Sequence, residues 1–226
     1  PEHAAEHYVL AGRSGEGARV IAEAAGDLLR AGRLKTVIDW AQRLSEETLR
    51  RWPALALAAA KAASRVGQME QATRWLDMAE AAFRARREPR PLGMALTAHA
   101  LVAFNLGSYR EAIQLAQEAL ETLPDPGQSS DVAVEALRIQ GLCLNRSGRS
   151  GEAEQRLRVA LEMCKGLEEP HREVLIRTGL AACLHSQGRL QEAVETLRTV
   201  VDAARELGSP GYLAEALNDL AYNLYL

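Results

Sequence analysis

The sequence predicts an all-α solenoid of stacked antiparallel helix pairs, and three observations carry that expectation. Gly67, Gly107, Gly148 and Gly188 recur at intervals of 40, 41 and 40 residues, the mark of a repeat architecture with a period near forty. The register around each glycine returns as well. A small residue stands seven positions before it (Ala60, Ala100, Gly141, Ala181), and a Glu or Gln followed by Ala stands just after it (Gln71-Ala72, Glu111-Ala112, Glu152-Ala153, Glu192-Ala193). Between the glycines, apolar residues fall at three- and four-residue spacing, the period of a helix face rather than a strand. The clearest unit is LVAFNLGSYREAIQLAQEALETL, residues 101–123. An apolar helix reaches a turn at Gly107, and Tyr109 opens a second segment with Ala112, Ala116, Ala119 and Leu120 on one face.

Composition agrees. The chain has 226 residues, 47% of them apolar, enough to bury a core as one domain or as a stack of small units. Aromatic residues make up only 4%, so Ala and Leu must build that core, and both favour helices in close contact. A net charge of −3 argues against direct nucleic-acid binding. The most apolar stretch, residues 53–60, is far shorter than the roughly 18 residues a membrane-spanning helix needs. Cys143, Cys164 and Cys183 fit no CxxC metal spacing and read as small buried residues of a reducing cytoplasm. No signal-peptide pattern follows Pro1, which is not a native start.

Taken in order, residues 3–11 read as a short helix ending at Gly12, and 16–29 as a second with Val20, Ile21, Ala24, Ala25 and Leu28 inward. Residues 34–44 follow the Gly32 turn, with Val37, Ile38 and Ala41 packing. In the connector 45–53, Ser45 is placed to cap a short helical turn and Pro53 to open the next helix. Paired helices are then expected at 53–66 and 69–85, 92–106 and 109–123, 130–147 and 150–165, and 171–187 and 190–206, with a last one from 210. Short breaker-rich links separate the pairs: 86–91, 124–127, 166–170 and 208–211. The expected organisation is one solenoid domain over 1–226: irregular helices in 1–52, regular pairs in 53–208, and an incomplete repeat in 209–226. The phase puts the next turn glycine near position 228, so the chain is expected to be a fragment of a longer array. Leu217, Leu220, Ala221 and Leu224 would then form an unpaired apolar face disposed to self-association.

The G-x-x-x-E-A pattern at Gly107, Gly148 and Gly188, with its small residue seven positions upstream, resembles the tetratricopeptide repeat, whose common unit is about 34 residues. The first eighty residues narrow the likeness. AAEHYVLAG, LLRAGRLKTVIDWAQRLSEETLRRWPALAL and GQMEQATRWLDMAEAAF resemble the repeat region of MalT-like, LuxR-type ATP-dependent bacterial transcription regulators. In that family an ATPase switch domain precedes the repeats and a DNA-binding helix-turn-helix follows them. The resemblance implies a right-handed superhelix acting as a noncatalytic sensor for a small inducer, a peptide or a regulatory protein. This chain holds no G-x-x-x-x-G-K-[ST] phosphate loop and no recognisable DNA-reading module, and no cofactor is implied. The alternative is a constitutive tetratricopeptide scaffold for protein assembly.

The same resemblance places groove residues 13, 10, 6, 3 and 2 positions before each turn glycine. That gives Lys61, Ser64 and Arg65; Thr97, Phe104 and Asn105; Glu135, Arg138, Asn145 and Arg146; Thr178, His185 and Ser186; and, by continuation, Glu215, Asn218, Tyr222 and Tyr225. Arginines there suit a carboxylate or phosphate, the asparagines a peptide backbone or sugar hydroxyls, and the aromatics an apolar surface. Arg138→Ala and Arg146→Ala are expected to weaken binding and leave helicity intact. Each position has a plainer reading as solvated helix face. His3 and His7 share a helical spacing but lack further metal ligands, and His99 falls at a packing position. The basic run 84–90 reads as a solvated helix end, where positive charge complements the helix dipole.

Overall fold

A computed structural model describes residues 14–124, 130–167 and 169–225 and shows consecutive antiparallel helix pairs. The expected helix over 3–11, with His3 and His7, lies outside the described residues. Two units are distinguished: residues up to 106 together with 122–124, and residues 107–121 together with 125–226.

The first unit begins with α1 (Ser14–Arg30), which buries Ala18, Ile21, Ala25 and Leu28 at helical spacing. It ends at Gly32, whose φ of +72° lets the Arg33 N–H reach back to the Leu28 carbonyl at 2.9 Å. α2 (Leu34–Gln42) buries Val37, Ile38 and Ala41 as expected, and Trp40 with them. Ser45 caps α3 (Glu46–Arg51), its hydroxyl accepting from the Thr48 N–H at 3.2 Å. Pro53 then opens α4 (Pro53–Arg65) at its first position, where a missing N–H costs nothing. Nearly every residue of α4 from Leu55 to Ala63 is buried, because α1, α2, α5 (Met69–Arg86) and α6 (Pro89–Asn105) all pack on it. α6 starts three residues before its expected first residue. Pro89 and Pro91 both fall in its first turn, where the N–H groups have no intrahelical acceptor to lose, so they start the helix instead of breaking it.

The link between α5 and α6 has no glycine at the left-handed position that Gly208 takes later in the chain. Arg87 occupies the left-handed region at φ 55° and ψ 45°, so that the Glu88 N–H bonds the Phe83 carbonyl at 3.1 Å. A side chain in that conformation costs about 1 kcal/mol relative to glycine. Arg87→Gly is therefore expected to raise stability by roughly that amount, read as a higher urea midpoint. The same basic run also serves the fold through Arg86. The Arg86 guanidinium donates to the carbonyls of Arg50 and Arg51 at 3.3 and 2.8 Å and closes the C-terminus of α3.

The second unit comprises α7 (Tyr109–Thr122), α8 (Ser130–Arg146), α9 (Ser150–Cys164), α10 (Pro170–Ser186), α11 (Leu190–Glu206) and α12 (Pro210–Tyr225). α8 pairs with α9 and α10 with α11, and α9 packs on α10 and α11 on α12. Gly148 and Gly188 turn the pairs at φ +78° and +74°. The core joins Val134, Leu137 and Leu144 of α8 to Ala153, Leu157 and Ala160 of α9 and Ile176 of α10, with Ile113 and Leu120 of α7 against it.

Leu157 is the keystone. Fully buried, it fills the space left by two glycines on different helices. A Cβ on Gly141 of α8 would stand 2.6 Å from the Leu157 Cγ, and one on Gly179 of α10 would stand 3.5 Å from both its methyls. The small residue at that register thus lets the helices approach closely enough for one leucine to hold three of them. Across the same repeats, Glu154 of α9 accepts from Arg158 of its own helix at 2.6 Å. It also accepts from Gln187 and Arg189 of the next pair at 2.9 and 2.8 Å. Partial burial pushes the Glu154 carboxyl up, but these three donors overcome it and hold the group below the usual carboxylate range.

Among the described residues, α12 packs on α11 and more lightly on α10. Ala216 is buried and Leu213 and Leu220 pack with Val200 and Val201 of α11, while Leu217 and Leu224 are 42% and 60% exposed. Among the described residues, no helix is long and apolar enough to cross a membrane.

Candidate partner-binding face

The candidate residues of the second unit lie on α8, α10 and α12, the first helices of successive pairs. Arg138 is buried rather than presented: its guanidinium donates through Nε and Nη2 to the two Glu135 oxygens at 3.0 and 2.7 Å. Burial draws its pKa down and Glu135 more than restores it, so Arg138 stays charged. Arg172 of α10 ties this pair to the neighbouring helix, donating to the Asp131 carbonyl at 3.2 Å and standing 3.7 Å from Glu135. Asn145 is partly engaged, its Oδ1 accepting from the Ser150 hydroxyl at 2.8 Å across the Gly148 turn. Arg146 is exposed. Thr178 and Ser186 turn their hydroxyls back to the Val174 and Ala182 carbonyls of their own helix.

The structure brings two candidates into direct contact, between α10 and α12. His185 faces Tyr222 with ring centroids 5.4 Å apart, and its Nδ1 lies 2.9 Å from Asn223 Oδ1. Asn223 Nδ2 donates to the Asp219 carbonyl at 2.8 Å, which turns its Oδ1 toward the histidine and makes Nδ1–H the donor. The outer ring nitrogen, Nε2, is thereby left to accept. Tyr222 is 57% exposed and Asn218 is exposed beside it. A second tilted pair, His171 with Tyr212 at 6.0 Å, spans the same two helices nearer their N-termini.

Sequence reasoning missed Asn223, His171 and Tyr212. Asn223 falls at the register where Cys143 and Cys183 are buried, so its phase pointed inward. A polar residue at a normally apolar position was the signal available.

In the first unit, Lys61 and Phe104 are half-buried and Asn105 is exposed. Arg65, also exposed, donates to the Leu29 carbonyl at 3.3 Å. Thr97 is buried and bonds the Gly93 carbonyl at 3.0 Å. His99 is buried with Nδ1 2.8 Å from Glu80 Oε1, the packed and partnered histidine its position implied. Among the described residues, no three His, Cys, Asp or Glu side chains come together as metal ligands.

The three cysteines are buried and free. Burial pushes the Cys143 thiol up to about 11 and the Cys183 thiol to about 12. An unfolded chain would ionise both near its ordinary thiol pKa, so the stability their protonated forms contribute is complete below about pH 8.5 and is lost as pH rises through the folded values. The expected result is slow reaction of the native protein with a thiol reagent at pH 7. Alkaline destabilisation should be reduced in Cys143→Ala/Cys183→Ala, as a urea titration at pH 8 and pH 10 would show.

Among solved structures the arrangement is familiar. The apo form of the quorum sensor NprR from B. thuringiensis superposes with a TM-score of 0.70 at 16% identity, covering 93% of this chain and 66% of that one. A thermophilic TPR protein of Thermus thermophilus gives 0.63 at 20%, covering 92% and 100%. The fold is tetratricopeptide-like. A third structure with the same tetratricopeptide-like repeats is the Signal Transduction ATPase with Numerous Domains protein with a tetratricopeptide repeat sensor from Pyrococcus horikoshii. It gives 0.65 at 13% identity, covering 93% of this chain and 31% of that one. The chain thus spans about two thirds of the quorum sensor and under a third of the ATPase. No protein-family model matches the sequence, and no curated protein does.

Proposed function

We propose that the chain is a noncatalytic sensor and protein-interaction domain, and that the α8–α10–α12 face of its second unit receives a peptide or a regulatory protein. The observation that carries this reading is the His185–Tyr222–Asn223 cluster. It joins two successive first helices and offers, side by side, an exposed ring, an acceptor nitrogen and the neighbouring Asn218. An aromatic surface edged by amide groups fits an extended peptide, whose backbone needs donors and acceptors and whose side chains need an apolar seat. The likeness to a quorum sensor and to the repeat sensor of a signal-transduction ATPase supports the same role, as does the sequence resemblance to MalT-like regulators. In a parent protein of that kind, capture would act by favouring one of two packings of the repeats against a switch domain.

One observation favours the constitutive scaffold. Arg138, Glu135 and Arg172 already satisfy one another, so part of the face is preorganised without a ligand. A binding screen of the purified chain against peptides and small metabolites separates the readings, read by fluorescence polarisation with circular dichroism alongside. A sensor gives a saturable peptide or metabolite complex that Tyr222→Ala, Asn218→Ala and Arg146→Glu weaken without loss of helicity. A scaffold binds folded proteins only. Retained affinity in all three variants would remove this face from the site. The exposed Leu217 and Leu224 on α12 extend the proposal to self-association, and a strict monomer in light scattering across concentration would exclude that extension.

A further inference from the structure

The second unit holds a cleft of about 530 Å³ lined by α7, α8 and α9, with none of His185, Asn218 and Tyr222 among its lining residues. Its apolar floor is Ile113 and Leu144. Gln140 lines it too, although this glutamine is only 3% exposed. The Gln140 Nε2 donates to Gln117 Oε1 at 3.1 Å, and the Gln117 Nε2 donates to Glu121 Oε1 at 2.9 Å. An ionised carboxylate only accepts, so Glu121 fixes the direction of both amides. At the far end of this chain the Gln140 Oε1 is buried with no donor.

The two walls differ in sign. α7 contributes Glu118 and Glu121, and α9 contributes Arg149 and Arg156. The charge of Glu152, also on α9, is met by Arg149 through two bonds of 2.7 and 2.6 Å, so Arg156 sets the character of that wall.

We propose that this cleft binds a short peptide with free termini, its ammonium on the α7 wall and its carboxylate at Arg156. The floor seats one apolar side chain, and the volume lies within the usual range of small-ligand pockets. Opposed charged walls select a zwitterion over either ion alone, since each terminus finds a partner and neither wall is left facing like charge.

The probe is the dipeptide Ala-Leu, titrated calorimetrically into the intact chain beside its N-acetylated and C-amidated forms. The expected result is saturable one-site binding of the free dipeptide, weakened at least about tenfold by either block. Arg156→Gln should weaken the free dipeptide by a similar factor and leave the amide unchanged, because the amide has no carboxylate to lose. Arg156 is exposed, so Arg156→Gln reads binding without disturbing the core. No saturable binding at millimolar peptide, equal affinity of the blocked forms, or an equal loss of the amide in Arg156→Gln would each overturn the proposal. Tyr222→Ala, on the other face, should leave dipeptide binding unchanged, so this test stands apart from that of the partner face.

Discussion

Leu157→Ala is expected to cost the second unit roughly 3–5 kcal/mol, the upper part of the range for a buried leucine. The reason is what surrounds it. Two of the positions that face it, Gly141 and Gly179, have no side chains to move into the vacated space, so the cavity closes only in part. Urea unfolding should show a lower midpoint at an unchanged slope. Gly141→Ala approaches the same contact from the other side. Alanine favours a helix by about 1 kcal/mol over glycine, but its Cβ would stand 2.6 Å from the Leu157 Cγ, and overpacking of that kind costs about 1–3 kcal/mol. The single change should therefore destabilise. The double variant Gly141→Ala/Leu157→Ala should be more stable than the sum of the two predicts, because the added methyl enters space that the leucine has left.

Glu135→Ala is the second large effect, at roughly 3 kcal/mol. Arg138 keeps its charge and its burial but loses both its carboxylate bonds, and Arg172 loses the anion that helps hold α10 to α8. Arg138→Leu should cost much less, since it removes the buried charge together with its need for a partner. The inequality between the two variants is the test, read from thermal or urea midpoints at neutral pH. Equal losses would mean that the pair behaves as a surface contact. It follows that Arg138 is a poor probe of partner binding, because changing it alters packing as well. Arg146 and Tyr222, both exposed, are cleaner.

The fold was legible because repetition multiplies weak signals. A glycine alone says little, but four in phase, each with its small residue and its Glu-Ala or Gln-Ala step, placed most helix ends to within a residue. The exceptions follow the same physics: prolines that open α6 in place of delaying it, and an arginine doing a glycine's work at position 87. The site was less legible. Register says which residues share a face, but it does not say which of them spend their hydrogen bonds on one another. Arg138 fits the groove phase and is consumed by Glu135 three residues earlier on the same helix, and Asn145 is partly consumed by Ser150. Asn223, which orients His185, stands at the register of the buried cysteines, so its phase assigned it to the core and only its polar side chain signalled otherwise.

The Leu157 contact also bears on how such an array can evolve. Gly179 stands nine residues before its turn glycine, and the residue at the same place in the preceding pair is Ile139. Had the α8–α9 hairpin been copied into the place of α10–α11, an isoleucine would put its Cβ 3.1 Å from the Leu142 Cδ2 and 3.5 Å from the Leu157 methyls, with its branches still to be housed. The two hairpins share a backbone plan yet cannot be exchanged. Their order along the chain is written into the shape of one seam, and duplication or shuffling of these units would need a compensating change at position 142 or 157 before the new neighbour could seat.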